Sequence, residues 1–217
     1  MTRDARRLVV EGFVLAGGRS IRMGQDKALL NFEGIPLVEL ALRNLTEVTD
    51  QRRIVGDRPD LAHFAPVVMD SEANCGPLGG IVAALRATAS EWNVFLPVDL
   101  PLLPPGFLRW MVGRVSQTGA LATVPLLAGL PQPLAAVYDR ALLPELERRL
   151  KAGETKTIRA IIGAAESLEW LGARTDFFCV ETLAAAGHFS AIETAVPVRR
   201  WFENVNSRLD LDFSTAS

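Results

Sequence analysis

A chain of 217 residues and 23.6 kDa has room for one sizeable core and an elaborated second half. Hydrophobic residues at 49%, charged residues at 22%, 17 Gly and 13 Pro match ordinary globular chains and argue against disordered, collagenous or coiled-coil classes. With 23 Lys+Arg against 25 Asp+Glu the formal net charge is -2, so no global basic field gathers nucleic acid or an anionic membrane, and an anionic ligand must be held locally. Two cysteines, Cys75 and Cys179, lack CxxC spacing, and His63 and His188 share no ligand spacing, which disfavours zinc and disulfide frameworks. The polar, basic start at residues 2–7 lacks the apolar length of a signal peptide or spanning helix, so a reducing cytoplasm is expected.

In chain order, residues 9–15 predict a first strand, 37–45 a helix behind Pro36, and 53–55 and 66–69 two further short strands. Residues 80–88 predict a second helix. Residues 92–98 form an apolar run that suits a central strand buried on both faces, and Asp99 ends it. Leu108, Met111, Val112 and Val115 follow helical spacing, placing one stripe against the core. Residues 120–125 and 134–138 predict strands either side of the turn Gly129-Leu130-Pro131, and Leu142, Leu143, Leu146 and Leu150 restore a helical period. Residues 153–195 read as alanine-rich helical pieces. Alternating strands and helices predict an α/β fold of three layers: a mainly parallel twisted sheet with helices on both faces. The absence of a repeat or long linker predicts one domain over 1–217, its second half packed against the same sheet.

The most informative segment begins where the first strand ends: Leu15-Ala16-Gly17-Gly18-Arg19-Ser20-Ile21-Arg22-Met23-Gly24-Gln25-Asp26-Lys27. Missing β-carbons at Gly17 and Gly18 let backbone N–H groups approach phosphate oxygens, while Arg22 and Lys27 add cationic donors. This pattern suits a triphosphate cradle. It is not a P-loop, because no Lys-Ser/Thr follows a glycine, and it does not match GxGxxG. Arg22 also fits a solvated loop arginine. Asp99, at the carboxyl edge of a strand, fits either a ligand for a hard cation such as Mg²⁺ or the N-cap of the following helix. Asp70 follows a strand in the same way and also fits a turn aspartate.

This segment resembles the LAGGxSxRMGxDK signature of molybdenum cofactor guanylyltransferases, a branch of the nucleotide-diphospho-sugar transferase-like fold, and every fixed position is present. The similarity continues through Met69-Asp70, Gly76-Pro77-Leu78-Gly79-Gly80, Pro97-Val98-Asp99-Leu100-Pro101 and Asn204-Val205-Asn206. The resemblance implies that Leu15, Ala16, Gly17 and Gly18 line the nucleotide, that Lys27 holds phosphate, that Asp70 helps hold the nucleotide and that Asp99 binds Mg²⁺. It further implies transfer of GMP from GTP to a molybdopterin-type acceptor, with a nucleotide-binding half at 1–115, an acceptor-binding half at 116–217, and transient contacts to proteins that deliver and receive the cofactor. Gly18, together with the Gly76-Pro77-Leu78-Gly79-Gly80 run, resembles guanylyltransferases more than the cytidylyltransferases of the same fold, which typically carry LAAG. A cytidylyl- or other nucleotidyltransferase acting on another phosphorylated acceptor and a noncatalytic nucleotide-binding module are the alternatives. The turn Val55-Gly56-Asp57-Arg58 departs from the family pattern in lacking an asparagine.

Outside the cradle, Asn204 and Asn206 alternate as in a strand and suit contacts to phosphate or acceptor, or a polar turn. Lys156 and Arg159 suit either an acceptor phosphate or a solvated helix start. Trp92, Trp110, Trp170 and Trp201 are dispersed and read as core or rim aromatics, and Cys75 has no partner that marks it as a nucleophile.

Overall fold

The structure, a computed structural model, describes residues 9–17, 26–70, 75–168 and 174–205. In chain order the strands are β1 (Val10–Leu15), β2 (Asn31–Phe32), β3 (Ile35–Pro36), β4 (Arg52–Val55), β5 (Val67–Val68), β6 (Trp92–Pro97), β7 (Ala122–Leu127), β8 (Leu130–Pro131), β9 (Ala136–Asp139) and β10 (Thr175–Cys179). The α-helices are α1 (Leu37–Leu45), α2 (Gly76–Ala87), α3 (Pro105–Thr118), α4 (Leu143–Lys151), α5 (Thr157–Ser167) and α6 (Val180–Ala185).

The main sheet runs β10-β7-β9-β6-β1-β4-β5, with β8 appended to β7. β1 pairs in parallel with β4 and β6, β4 with β5, and β7 with β10, whereas β9 runs antiparallel between β6 and β7. Alternation along the central strands sorts the core into two layers. Val10 and Val14 of β1 and Trp92, Val94 and Leu96 of β6 face α1 and α3; Phe13 and Phe95 face α2, α4 and α5. The fold is therefore the α/β class that the alternating pattern predicts, with strands from both halves of the chain in one sheet.

Three expectations need correction. α2 begins at Gly76 rather than residue 80, because Pro77 at the start of a helix has no N–H to leave unsatisfied and a pre-set φ. The 153–195 stretch is not helical throughout: it contains edge strand β10. Asn204 is not in a strand; it follows a 3-10 turn, Val198–Phe202, whose Trp201 is fully buried. Trp92 is also buried in the core and Trp110 packs at its border, while Trp170 lies outside the described residues. No helix among the described residues is long and apolar enough to cross a membrane.

Candidate active site

Strand register decides where the cavity lies. Leu15 at the end of β1 is level with Val55 of β4 and Pro97 of β6, and Val55 is level with Val68 of β5, so four parallel strands stop together. The ladder continues for one more rung, with Ala16 N–H donating to the Val55 carbonyl at 2.9 Å and Val98 N–H to the Leu15 carbonyl at 3.1 Å. The chain proceeds from β1 to β4 and β5 on one side and then returns to β6 on the other. Such a reversal leaves a crevice at the carboxyl ends of the strands that flank it. A cavity of about 440 Å³ opens there.

Leu15, Ala16, Gly17, Lys27, Asp70 and Asp99 all line this cavity. Gly18 and Arg22, like Arg19 and Asn206, lie outside the described residues. Lys27 opens a 3-10 turn, Lys27–Leu29, whose N-cap Asp26 accepts from Ala28 N–H at 3.0 Å. Its Nζ donates to Asp99 Oδ2 at 2.6 Å, with side chains 21% and 15% exposed. Residues 72 positions apart in sequence thus meet at the crevice between β1 and β6. Asp99 does not cap α3, which has Pro104 at its N-cap. Its carbonyl accepts from Val205 N–H at 3.0 Å, tying the C-terminal segment to the same edge.

Asp70 sits against the first turn of α2. A β-carbon at Gly79 would lie 3.1 and 3.2 Å from its two carboxylate oxygens, so glycine there makes room for the acid. The amino end of a helix favours a negative charge. The α2 terminus therefore already has a protein carboxylate beside it, while Gly17 and Lys27 line the same cavity.

Three residues of the Val55-Gly56-Asp57-Arg58 turn, Val55, Gly56 and Arg58, line the cavity, and the sequence assigned none of them a place in the site. Gly56 has φ +144°, and its missing β-carbon lets it approach the Gly17 backbone. Arg58 is a nearly buried guanidinium, 3% exposed, paired with both Asp26 and Asp60. Hydrogen bonding to Asp60 raises its pKa above the ordinary arginine value, burial opposes this, and the Asp26 charge adds to the rise. The signal for Arg58 was three-dimensional: Asp26 is 32 residues away.

Among the described residues no group of three or more His, Cys, Asp or Glu gathers into a metal cage. Asp99 instead offers one hard oxygen ligand at the mouth of a partly polar crevice. That donor set fits Mg²⁺, which takes one or two protein carboxylates and completes its shell with phosphate oxygens and water. A second cavity of about 300 Å³ shares Pro77, Pro97, Asp99 and Leu134 with the first and extends to Gln132, Thr157 and Asn204. Thr157 is the first residue of α5, whose opening turn holds no acidic residue.

Comparison with known proteins agrees with this architecture. A family model described as the MobA-like NTP transferase domain matches residues 12–169. A Pseudomonas putida protein named molybdenum cofactor guanylyltransferase is 34% identical over 157 residues, which span 70% of this chain and 82% of that one. A Serratia proteamaculans protein of the same name is 30% identical over 179 residues, 80% of this chain and 90% of that one. In fold, the crystal structure of molybdopterin-guanine dinucleotide biosynthesis protein A from Archaeoglobus fulgidus superposes with a TM-score of 0.71 at 24% identity, covering 94% and 96% of the two chains. A 4-diphosphocytidyl-2C-methyl-D-erythritol synthase from Anaerococcus prevotii follows the same fold with a TM-score of 0.63 at 12% identity, covering 95% and 94%. With the crevice built on the strand ends that the matched segment contains, the chain belongs to the MobA-like NTP transferase family.

Proposed function

We propose that this chain transfers GMP from GTP to the terminal phosphate of molybdopterin carrying molybdenum, forming the guanine dinucleotide cofactor and releasing pyrophosphate. The observation that carries the reading is the meeting of Lys27 and Asp99, 2.6 Å apart, in a crevice floored by the Ala16 and Gly17 backbone. An ammonium and a carboxylate side by side suit a ligand that brings both negative charge and a divalent cation. The names of the relatives supply the donor and acceptor.

In this reading the backbone of residues 15–17 lies along the nucleotide, Lys27 holds the phosphate tail, Asp70 holds the nucleoside side, and Arg22, from its position in the glycine-rich signature, adds a second cation toward the phosphates. Asp99 would hold Mg²⁺, which when bound supplies positive charge to the triphosphate oxygens. The acceptor occupies the second cavity, with its phosphate toward Asp99 and the α5 amino terminus. An acceptor phosphate oxygen attacks the α-phosphorus, the bond from that phosphorus to the bridging oxygen breaks, and pyrophosphate departs with the electron pair. The nucleophile needs no protein base, because a phosphate monoester with a second pKa of about 6 is largely ionised at neutral pH. Lys27 and the backbone N–H groups stabilise the charge that builds on the leaving group, so catalysis is positioning and electrostatics. The cytoplasm, where GTP is available, is the proposed setting.

Incubation with GTP, Mg²⁺ and molybdopterin, with mass detection of the dinucleotide and of pyrophosphate, tests donor, acceptor and bond formation together. Greater turnover with CTP would overturn the donor. Magnesium-dependent GTP binding without pyrophosphate release, whichever phosphorylated acceptor is supplied, would reduce the protein to a binding module.

A further inference from the structure

We infer that Arg58 is a positioning residue for Lys27, acting through Asp26 to fix the turn from which the lysine reaches into the crevice. Its Nη1 donates to Asp26 Oδ1 at 3.0 Å and its Nη2 to Asp26 Oδ2 at 2.5 Å. Nε and Nη2 also donate to Asp60 Oδ1 and Oδ2 at 3.0 and 2.7 Å. Four of the five N–H groups of a guanidinium are thereby spent on two carboxylates. The triad as a whole carries a negative charge and the guanidinium is buried, so although Arg58 lines the cavity it is not a phosphate donor.

What the clamp holds is specific. Asp26 Oδ1, the atom that receives Nη1, also caps the 3-10 turn by accepting from Ala28 N–H at 3.0 Å. That turn is a single one, Lys27–Leu29, too short to fix its own orientation. A bidentate guanidinium–carboxylate pair sets angle as well as distance. Arg58 is itself anchored: its N–H donates to the Gly56 carbonyl at 2.9 Å and its carbonyl accepts from Leu61 N–H at 3.0 Å, with Leu61 fully buried. The order of support therefore runs from the β4 turn to Arg58, to Asp26, to the turn, to the Lys27 ammonium beside Asp99.

This inference rests on the proposed phosphate role of Lys27 only for its consequence in binding, so the experiment has two arms. In the first, the ammonium ¹⁵N–¹H signal of Lys27 is recorded by NMR on the nucleotide-free protein and assigned by its loss in Lys27→Met. Arg58→Met and Asp26→Asn should both abolish its pairing with Asp99. Asparagine caps a helix as well as aspartate does, so Asp26→Asn removes the charged clamp while keeping the cap. An unchanged Lys27 signal in both variants overturns the inference, whatever the donor nucleotide proves to be. In the second arm, GTP and Mg²⁺ are titrated and steady-state kinetics run. Each variant should raise the KM for GTP about tenfold, the loss expected for one charged hydrogen bond, and leave the acceptor KM unchanged. In a Lys27→Met background neither should add more than about twofold, since residues acting through one another are not additive. A further tenfold loss from Arg58→Met in that background would mean that Arg58 touches the nucleotide directly, and would overturn the inference. Loss of GTP specificity with the NMR result intact would instead overturn the proposed donor.

Discussion

Gly56→Ala tests whether the floor of the crevice depends on one backbone approach. A β-carbon at position 56 would lie 2.9 Å from the Gly17 nitrogen, 3.0 Å from its α-carbon and 3.2 Å from the Ala16 carbonyl carbon. Comfortable contacts to carbon begin near 3.5 Å, so the two chain segments must part by roughly half an ångström. Neither can yield cheaply: Ala16 N–H is bonded to the Val55 carbonyl at 2.9 Å and Gly56 N–H to the Val68 carbonyl at 3.0 Å. The φ of +144° adds backbone strain of about 1–3 kcal/mol for a residue with a side chain. Crowding adds about 1–3 kcal/mol, for a total loss of about 2–6 kcal/mol of stability, measurable by urea unfolding. Because the displaced atoms are those of Gly17, GTP affinity by calorimetry should fall as well. Gly113→Ala is the control: apart from its chain neighbours and its own helix backbone no atom lies within 4 Å of its added carbon, it sits inside α3, and it should stabilise by about 0.5–1 kcal/mol without touching GTP. A Gly56→Ala protein as stable as wild type, with unchanged GTP affinity, would refute the argument.

Asp99→Ala should reduce GMP transfer by about three orders of magnitude, as loss of a metal-holding group does, while costing about 1 kcal/mol of stability for a partly exposed ion pair; similar turnover at saturating Mg²⁺ would remove the proposed metal role. Hydrogen bonding from Arg148 holds the Glu145 carboxyl at about 2 instead of the usual 4.5, with Ser167 and the charge of Arg149 assisting and burial opposing. That stabilisation is complete above the unfolded value of 4.5 and is lost as pH falls through about 2, so Glu145→Gln should flatten the decline in stability across this window in acid-unfolding titrations. Arg114 of α3 grips Asp176 of β10 at 2.5 and 2.8 Å and lies over the Trp110 ring at 5.3 Å. Arg114→Met should therefore raise amide exchange in Thr175–Cys179 before it does so in β1 or β6, and equal exchange in all three would contradict this.

Whether a residue was legible in the sequence depended on whether its reason was local. β1 and β6 are buried on both faces, so their apolar runs announce them, and a parallel sheet delivers whatever follows such strands to one edge. That is why Gly17, Asp70 and Asp99, each just beyond a strand, were singled out, and why all three line one cavity. α1 was equally plain, beginning at Leu37 behind Pro36 with a regular apolar stripe. β10 was not. Its Thr-Asp-Phe-Phe-Cys is an edge strand with a half-exposed pattern, and it is a strand because it pairs with β7 and because Phe178 packs against Phe107 and Trp110. Those partners lie some fifty or more residues away, beyond the reach of any periodicity. Gly56 and Arg58 were hidden for a related reason. Gly-Asp-Arg-Pro-Asp has the composition of a solvated turn, and only the arrival of Gly17 against Gly56 and of Asp26 against Arg58 turns it into the support of the crevice. The groups proposed to meet the ligand sit where strand ends dictate, whereas the groups that hold them steady are set by contacts between distant segments; substitutions in that hidden set should change the precision of the site more than its composition.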